Sequence, residues 1–105
     1  MMAQFDVYLN PIPAARGAYP FVIAMQFDVA FAANEQIVAP LVPRESMPTM
    51  SGHLAPTVAV NGTDHVVLVP RLATIRRRDL GQSVSSAASA RRNLLAAIDY
   101  LFFGV

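Results

Sequence analysis

The sequence contains no cysteine, and only 14% of its 105 residues are charged. Without cysteine the chain can form no disulfide and has no thiolate for catalysis. This composition fits a reducing compartment, so we expect a cytoplasmic location. The net charge of +1 gives the chain as a whole no general attraction to nucleic acid or to membranes.

Long apolar stretches are also lacking. The longest apolar run covers residues 18–33 and is interrupted by Pro20, Gln26 and Asp28, so it is not expected to span a bilayer. The N-terminus has neither the basic region nor the cleavage pattern of a signal peptide. We therefore expect one domain over residues 1–105, with no membrane partner.

Apolar residues are abundant instead, at 54% of the chain. A small domain has a large surface to cover, and so few charges leave part of that surface apolar. This composition favours a protein partner or a homodimer. The alternative is that many of the alanine residues simply lie at the surface.

Six segments have the character of β-strands, because alternating or β-branched apolar runs lie between residues that favour turns. The predicted strands are Gln4–Leu9, Phe21–Val29, Gln36–Val42, Thr57–Val60, His65–Val69 and Leu72–Ile75. Asn61-Gly62 predicts a tight hairpin between the fourth and fifth strands, since both residues accept a positive φ. Pro40 lacks a ladder donor and favours an edge position or a bulge.

In the first predicted strand, alternation puts Phe5, Val7 and Leu9 on the buried face. Short strands followed by a single helix predict a mainly β fold with one C-terminal helix. The sheet would have five to seven short, mostly antiparallel strands, and would be strongly bent or form a partly open barrel.

The segment after Ser85 predicts one amphipathic helix of about Ala87 to Phe103. Good helix formers fill it, and Ser85, Ser86 and Ser89 offer N-cap oxygens. At about 100° per residue, one sector of this helix collects apolar residues that we expect to face the core. These residues are Leu94, Ile98, Leu101, Phe102 and Val105.

Phe103 lies nearly opposite that sector, beside Arg92 and Asp99. Burying a large ring stabilises a protein by ~2–3 kcal/mol, so a ring left out of the core is available for binding. Gly104 then lets the chain leave the helix. The alternative is a frayed helix end whose Phe103 ring packs against a loop.

Two histidines are the candidates for acid–base chemistry. Asp64 and His65 are adjacent, but neighbouring residues of a strand point to opposite faces, which disfavours a catalytic pair. His53 lies in a loop that contains proline. Neither histidine is accompanied by the residue spacing of a metal site, so we predict no metal, no cofactor and no enzymatic activity.

Five of the eight arginines lie in two short runs, before and within the predicted helix. They are Arg76, Arg77, Arg78, Arg91 and Arg92. Guanidinium groups bind carboxylates and phosphates through paired hydrogen bonds, so a patch for an acidic partner is one interpretation. A solvated charged loop flanked by Asp79 is the other.

Several blocks of the sequence follow one another in a distinctive order: QFDVY, YPFVIAMQFDVAF, IVAPLVP, LAPTVAVNG, the pair Leu80-Gly81, and AAIDYLFFGV. In this order, and over nearly its whole length, the chain resembles the CcdB toxins of bacterial toxin–antitoxin pairs. The most specific part is a helix that ends in an aromatic residue, Gly and a branched aliphatic residue.

The resemblance implies a homodimer with an SH3-like barrel and a C-terminal helix. It also implies a non-enzymatic toxin, of the kind used in plasmid maintenance, that binds the A subunit of DNA gyrase and traps the enzyme on cleaved DNA. A CcdA-like antitoxin, disordered in its C-terminal segment when alone, would fold on the toxin. Their complex would repress its own operon and contact operator DNA only through the antitoxin.

The resemblance also assigns roles to individual positions. The gyrase-binding positions match Phe103, Gly104 and Val105. The antitoxin-binding positions match Val29, Ala30, Asp99 and Phe102. The best-known member of the family has Trp where Phe103 stands, and Phe offers less area for stacking on an arginine, so weaker gyrase binding is expected.

Two other functions stay open. MazF-like RNA-cleaving toxins use the same type of barrel, so the fold alone does not decide. A ribonuclease needs acid–base groups beside a basic groove, and the predicted strands are poor in such residues. The third possibility is a non-toxic homologue that is kept for interaction and operon control.

Overall fold

In the described part of the chain, seven antiparallel strands form a nearly closed barrel, and one α-helix follows them. The structure, a computed structural model, describes residues 3–27, 34–47 and 52–104. The strands are β1 Asp6–Leu9, β2 Phe21–Ala24, β3 Glu35–Pro43, β4 Thr57–Val60, β5 Thr63–Val67, β6 Ala73–Arg76 and β7 Ser85–Ser86. The helix, α1, is Arg91–Phe103. The predicted class, mainly β with one C-terminal helix, is confirmed.

Strand β3 is the centre of the sheet. The strand order is β4-β5-β3-β2-β1-β7, and β6 pairs with the first part of β3. On one side β3 pairs with β2 over residues 38–41. On the other side it pairs first with β6, over 35–38, and then with β5, over 41–43.

Pro40 lies in this central strand, so the predicted edge position is wrong. The Met25 N–H donates to the Ile37 carbonyl at 2.9 Å, and alternation along the ladder turns the nitrogen of Pro40 away from β2. It faces the point where the neighbour of β3 changes from β6 to β5. The missing donor thus falls at a junction between two strands, where the Pro40 carbonyl still accepts from the Leu68 N–H at 2.9 Å.

The predicted hairpin is confirmed. Asn61 has φ 52° and Gly62 has φ 84°, as a two-residue turn with both φ values positive requires. Strand β4 has the predicted bounds, whereas β5 begins at Thr63 and ends at Val67. Val69–Arg71 forms a 3-10 turn instead of extending the strand, because Pro70 cannot donate to a ladder.

Strand β1 is shorter than predicted and is buried on both faces. Phe5 has φ 70°, outside the range of a strand, so β1 begins at Asp6. Val7 enters the main core, while Tyr8 enters a second core on the opposite face of the sheet. Leu9, predicted to be buried, is 45% exposed, because the strand ends there and the chain turns away.

The main core lies between the barrel and the helix. Its fully buried members include Phe5, Val7, Ile23, Leu41, Val67 and Leu94. The second core, of Tyr8, Val22, Ala24, Val38 and Leu80, covers the outer face of β1–β3. Helix α1 packs on the main core through Leu94 and Ala97, and the second core contains no helix residue.

Helix α1 begins later than predicted. Ser85–Ser86 pairs with β1 as a short strand, and Ala88–Ala90 forms a 3-10 turn before Arg91. The predicted serine cap of the α-helix is absent, since Ala90 is the N-cap. The Ser86 hydroxyl instead accepts from the Ala88 N–H at 3.2 Å, just before the 3-10 turn, whose N-cap is Ala87.

Candidate functional site

The packing face of α1 is rotated from the predicted one. Leu94 and Ala97 are fully buried, and Ala90, Ile98 and Leu101 pack around them. These positions form an i, i+4, i+7, i+11 stripe through 90, 94, 97 and 101, of the kind that a helix presents to a core. The prediction missed this stripe because it gave no weight to alanine, whose small side chain lets the helix lie close to the barrel.

Phe102 is 62% exposed, so its predicted burial is wrong. It lies roughly 100° around the helix from the middle of the true packing face. Leu94 is buried as predicted, but Ile98 and Leu101 are only partly buried. The first turns of the helix are thus buried most deeply, and its last turn projects beyond the core.

Phe103 is 75% exposed, and its predicted exposure is confirmed. It is the most exposed large apolar side chain in the described part of the molecule. Together with Phe102 and with Tyr100, which is 40% exposed, it surrounds the helix end with aromatic rings. A cluster of large exposed apolar residues is typical of a protein-binding surface.

Gly104 gives this helix end a defined geometry. It has φ 73°, in the left-handed region, and its N–H donates to the Tyr100 carbonyl at 3.0 Å. This is a helix C-cap for which glycine has the lowest steric cost. The cap holds the turn that carries Phe103, so the ring is presented from an ordered backbone.

Tyr100 also contacts a loop. The His53 ring stacks on it, with centroids 4.8 Å apart and planes at 26°. Further along the helix, a cavity of about 420 Å³ separates Asn93 and Ala96 from Ala55, Pro56 and Thr57. The loop therefore supports the helix near its end and leaves a space beside its first turns.

The predicted antitoxin positions are only partly described. Asp99 and Phe102 are both exposed and lie three residues apart on one side of α1. Among the ranges that the structure covers, no cation lies within 4.0 Å of the Asp99 carboxylate. Val29, Ala30 and the gyrase-binding position Val105 lie outside the described residues.

The five arginines occupy two places on the molecule. Arg76, Arg77 and Arg78 line a cavity of about 490 Å³ together with Asn34, at the start of β3. Arg91 lies at the start of α1, with its guanidinium carbon 5.9 Å from the centroid of the Phe5 ring. Arg76 pairs with Asp79 at 3.4 Å.

Two glutamines each bind one arginine: one in the Arg76–Arg78 group and one at the start of α1. Gln36, 1% exposed, accepts from Arg77 Nη2 at 3.4 Å and donates to the Gln26 carbonyl at 3.1 Å. Gln4 accepts from Arg91 Nη1 at 3.0 Å and donates to the Met25 carbonyl at 3.1 Å. Through these glutamines, Arg91 and Arg77 are connected to Met25 and Gln26, the two residues that follow β2. Sequence reasoning missed both glutamines, since nothing in the local sequence pairs them with these arginines.

Among the described residues, neither histidine forms a site with a carboxylate. His65 is 4% exposed, shares a hydrogen bond with the Thr63 carbonyl at 2.9 Å, and lies edge-on to the Phe21 ring at 5.3 Å. Asp64, its neighbour, is exposed on the opposite face. His65 is thus a core residue and His53 a stacking residue. Within the described ranges, no group of three His, Asp or Glu side chains is placed to hold a metal ion.

A comparison with protein families was made for the whole sequence, and the described residues were searched for membrane-spanning helices. In the described part of the chain, no helix has the length and apolar character needed to cross a membrane. None of the curated proteins compared with the chain matches it. The family model described as CcdB protein matches residues 4–104, which is almost the whole sequence. This chain therefore belongs to the CcdB family.

Proposed function

We propose that this chain is the toxin of a toxin–antitoxin pair, and that it binds the A subunit of DNA gyrase and traps the enzyme on cleaved DNA. The observation that carries the proposal is the aromatic helix end. Phe103, 75% exposed, stands on a turn closed by Gly104 in the left-handed conformation. A rigid, exposed ring is suited to be a binding hot spot, because little conformational entropy is lost when it enters a pocket.

The proposed contact is non-enzymatic. Phe103 would stack on a flat or cationic group of gyrase, and Gly104 and Val105 would follow it into the same contact. Neither histidine is joined to a carboxylate by a hydrogen bond in the described ranges, so the RNA-cleaving alternative gains no support. The toxin would act in the cytoplasm, where gyrase works, with no cofactor or metal.

The antitoxin would bind at the same helix end. Asp99 lies one helical turn before Phe103, and Phe102 directly precedes Phe103 in the sequence. A peptide bound to Asp99 and Phe102 would therefore also cover the Phe103 ring, which is the proposed contact with gyrase. An acidic segment of the antitoxin would meet the arginines beyond β2. The complex would repress its operon, with the antitoxin alone contacting operator DNA.

We further propose that the toxin is a homodimer. Exposed apolar side chains outside the helix end, such as Ile12 at 56% and Val84 at 41%, accompany a charged fraction of only 14%. A monomer with so little charge exposes an unusual share of apolar surface, which self-association would cover.

A gyrase cleavage assay tests the proposal directly. Purified protein is expected to make gyrase accumulate cleaved DNA, and Phe103→Ala is expected to abolish this effect. Phe27→Ala is the matched control, because Phe27 is an exposed phenylalanine, at 67%, that does not belong to the helix. If the wild-type protein traps no cleaved DNA and its induction leaves sensitive cells alive, the chain is a non-toxic homologue; if it cleaves RNA, the ribonuclease alternative holds.

A further inference from the structure

The last turn of α1 receives little support from the main core. Leu94 and Ala97 are fully buried, but Ile98 and Leu101 are only partly buried, and residues 102–104 are exposed. Contact with the core therefore declines toward the end of the helix. The last backbone carbonyls of a helix have no intrahelical partner, and a helix end with few packing contacts opens easily. An ordered aromatic end thus needs a further contact.

That contact is made by His53. Its ring stacks on the ring of Tyr100, with centroids 4.8 Å apart and planes at 26°. Tyr100 is 40% exposed and lies outside the main core. A stacked aromatic pair stabilises beyond the area that it buries. The stack therefore supports the helix end at a residue that the barrel core does not reach.

The turn that carries His53 is itself attached to the barrel. The Ala55 N–H donates to the Gly52 carbonyl at 3.3 Å, which closes a tight turn around His53. Ala55 is 4% exposed and packs with residues of β3 and β5 in a third apolar cluster. The Pro56 carbonyl then accepts from the Val67 N–H at 2.9 Å, directly before β4. The His53 ring is thus presented from backbone that the sheet holds in place.

Tyr100 connects this support to Phe103 through one helical turn. The Tyr100 carbonyl accepts from the Gly104 N–H at 3.0 Å, which closes the last turn. Phe103 lies within that turn, three residues after Tyr100, so the two side chains are neighbours on the helix surface. A displacement of Tyr100 would move the acceptor of this hydrogen bond and the backbone that carries Phe103. One connection from the barrel to Phe103 therefore runs through His53 and Tyr100.

We propose that His53 is a positioning residue for the contact made by Phe103, and that its stack on Tyr100 keeps the last turn of α1 ordered before a partner binds. The inference rests on the proposed binding to gyrase and adds to it a residue outside the helix. A ring that is already ordered loses less conformational entropy on binding. A protein whose binding-competent state is only partly populated binds with proportionally lower affinity.

Replacement of His53 tests this role. His53→Ala removes the stack, and the fold should persist because His53 is exposed. The toxin concentration at which gyrase accumulates cleaved DNA is expected to rise roughly 3- to 10-fold, as the loss of one stacked pair implies. His53→Phe keeps a ring at this position and is expected to restore the wild-type concentration.

Asn93→Ala is the matched control. Asn93 borders the same cavity of about 420 Å³ as His53, but it lies about two helical turns before Tyr100. Removing its side chain changes the helix side of that cavity and leaves the stack in place. This variant should therefore trap cleaved DNA at the wild-type concentration.

A double-mutant cycle separates positioning from a direct contact between His53 and gyrase. Tyr100→Leu removes the stacking partner, so His53→Ala should cause no additional loss in that background. Amide hydrogen exchange of Gly104, measured by NMR on the toxin alone, reports the order of the last turn. It is expected to be roughly 3- to 10-fold faster in His53→Ala and unchanged in His53→Phe.

Several results would overturn the inference. One is a His53→Ala protein with wild-type trapping, and another is a His53→Phe protein that remains defective. Weaker trapping with unchanged Gly104 exchange, or a His53→Ala loss that persists beside Tyr100→Leu, would mean that His53 touches gyrase itself. If the wild-type protein traps no cleaved DNA, the proposed function fails, whereas faster Gly104 exchange in His53→Ala would still support the positioning of the helix end by His53.

Discussion

Replacing Phe103 with Ala is expected to leave the fold almost unchanged. About a quarter of this residue is buried, given its 75% exposure. Full burial of a phenylalanine side chain stabilises by up to ~3 kcal/mol, so the lost burial amounts to ~0.5–0.8 kcal/mol. Alanine is the better helix former by roughly 0.5 kcal/mol, which offsets most of that loss. The free energy of unfolding in urea should therefore change by less than ~0.5 kcal/mol.

The same change is expected to remove binding to gyrase. Truncation of a hot-spot aromatic residue costs ~2 kcal/mol or more of binding free energy, or at least ~30-fold in affinity. The assay is the toxin concentration at which purified gyrase accumulates cleaved DNA, together with the survival of sensitive cells after induction. Phe27→Ala, which removes another exposed ring, should behave as wild type in both. The hypothesis fails if Phe103→Ala traps cleaved DNA at the wild-type concentration, and a variant that cannot fold would make Phe103 a structural residue.

Three further substitutions test the stacking at position 103, the packing face of α1 and the role of the Arg76–Arg78 group. Phe103→Trp is expected to strengthen gyrase binding by up to ~1 kcal/mol through a larger stacking area, and an unchanged affinity in a binding titration would argue against stacking. Leu94→Ala is expected to lower the free energy of unfolding in urea by ~3 kcal/mol, because the Leu94 side chain is completely buried between the helix and the barrel. A loss below ~1 kcal/mol would contradict the observed packing face of the helix. Arg78→Ala is expected to slow association with an acidic antitoxin peptide in stopped-flow measurements at low salt, but little at high salt, whereas the equally charged Arg71→Ala should not. Equal rates for the two variants would exclude the Arg76–Arg78 group as the place where the peptide first binds.

Local patterns were enough to predict the hairpin and six of the seven described strands, although some bounds changed and β7 was assigned to the helix start. Asn61-Gly62 determines its turn through the backbone conformations of two residues, and β4 and β5 follow from the apolar runs on either side. The placement of Pro40 was not predictable in this way. The sheet tolerates a proline at position 40 because β6 and β5 meet on the same side of β3 at this point. Both strands come from later parts of the sequence, so the residues around Pro40 do not predict where they pair.

The helix end was predicted in part. Phe103 lies so far from every apolar sector that a moderate error in the packing face leaves it exposed. Phe102 lies at the margin of the predicted sector, so a rotation toward Ala97 was enough to move it from the core to the surface. The glutamines that hold Arg77 and Arg91 depend on tertiary contacts across 41 and 87 positions of sequence, which no local pattern encodes.

The central place of β3 has a consequence for synthesis on the ribosome. Its neighbours are β2, which is made before it, and β5 and β6, which are made long after it. When the nascent chain has been translated only to the end of β4, β2 is the only available partner strand of β3. The backbone groups of β3 that point to the other side cannot yet form hydrogen bonds, because β5 and β6 have not been translated. Closure of the barrel becomes a late, cooperative event that joins distant segments. Since α1 follows all seven described strands, its aromatic end is set in place only after the barrel that supports it has been completed.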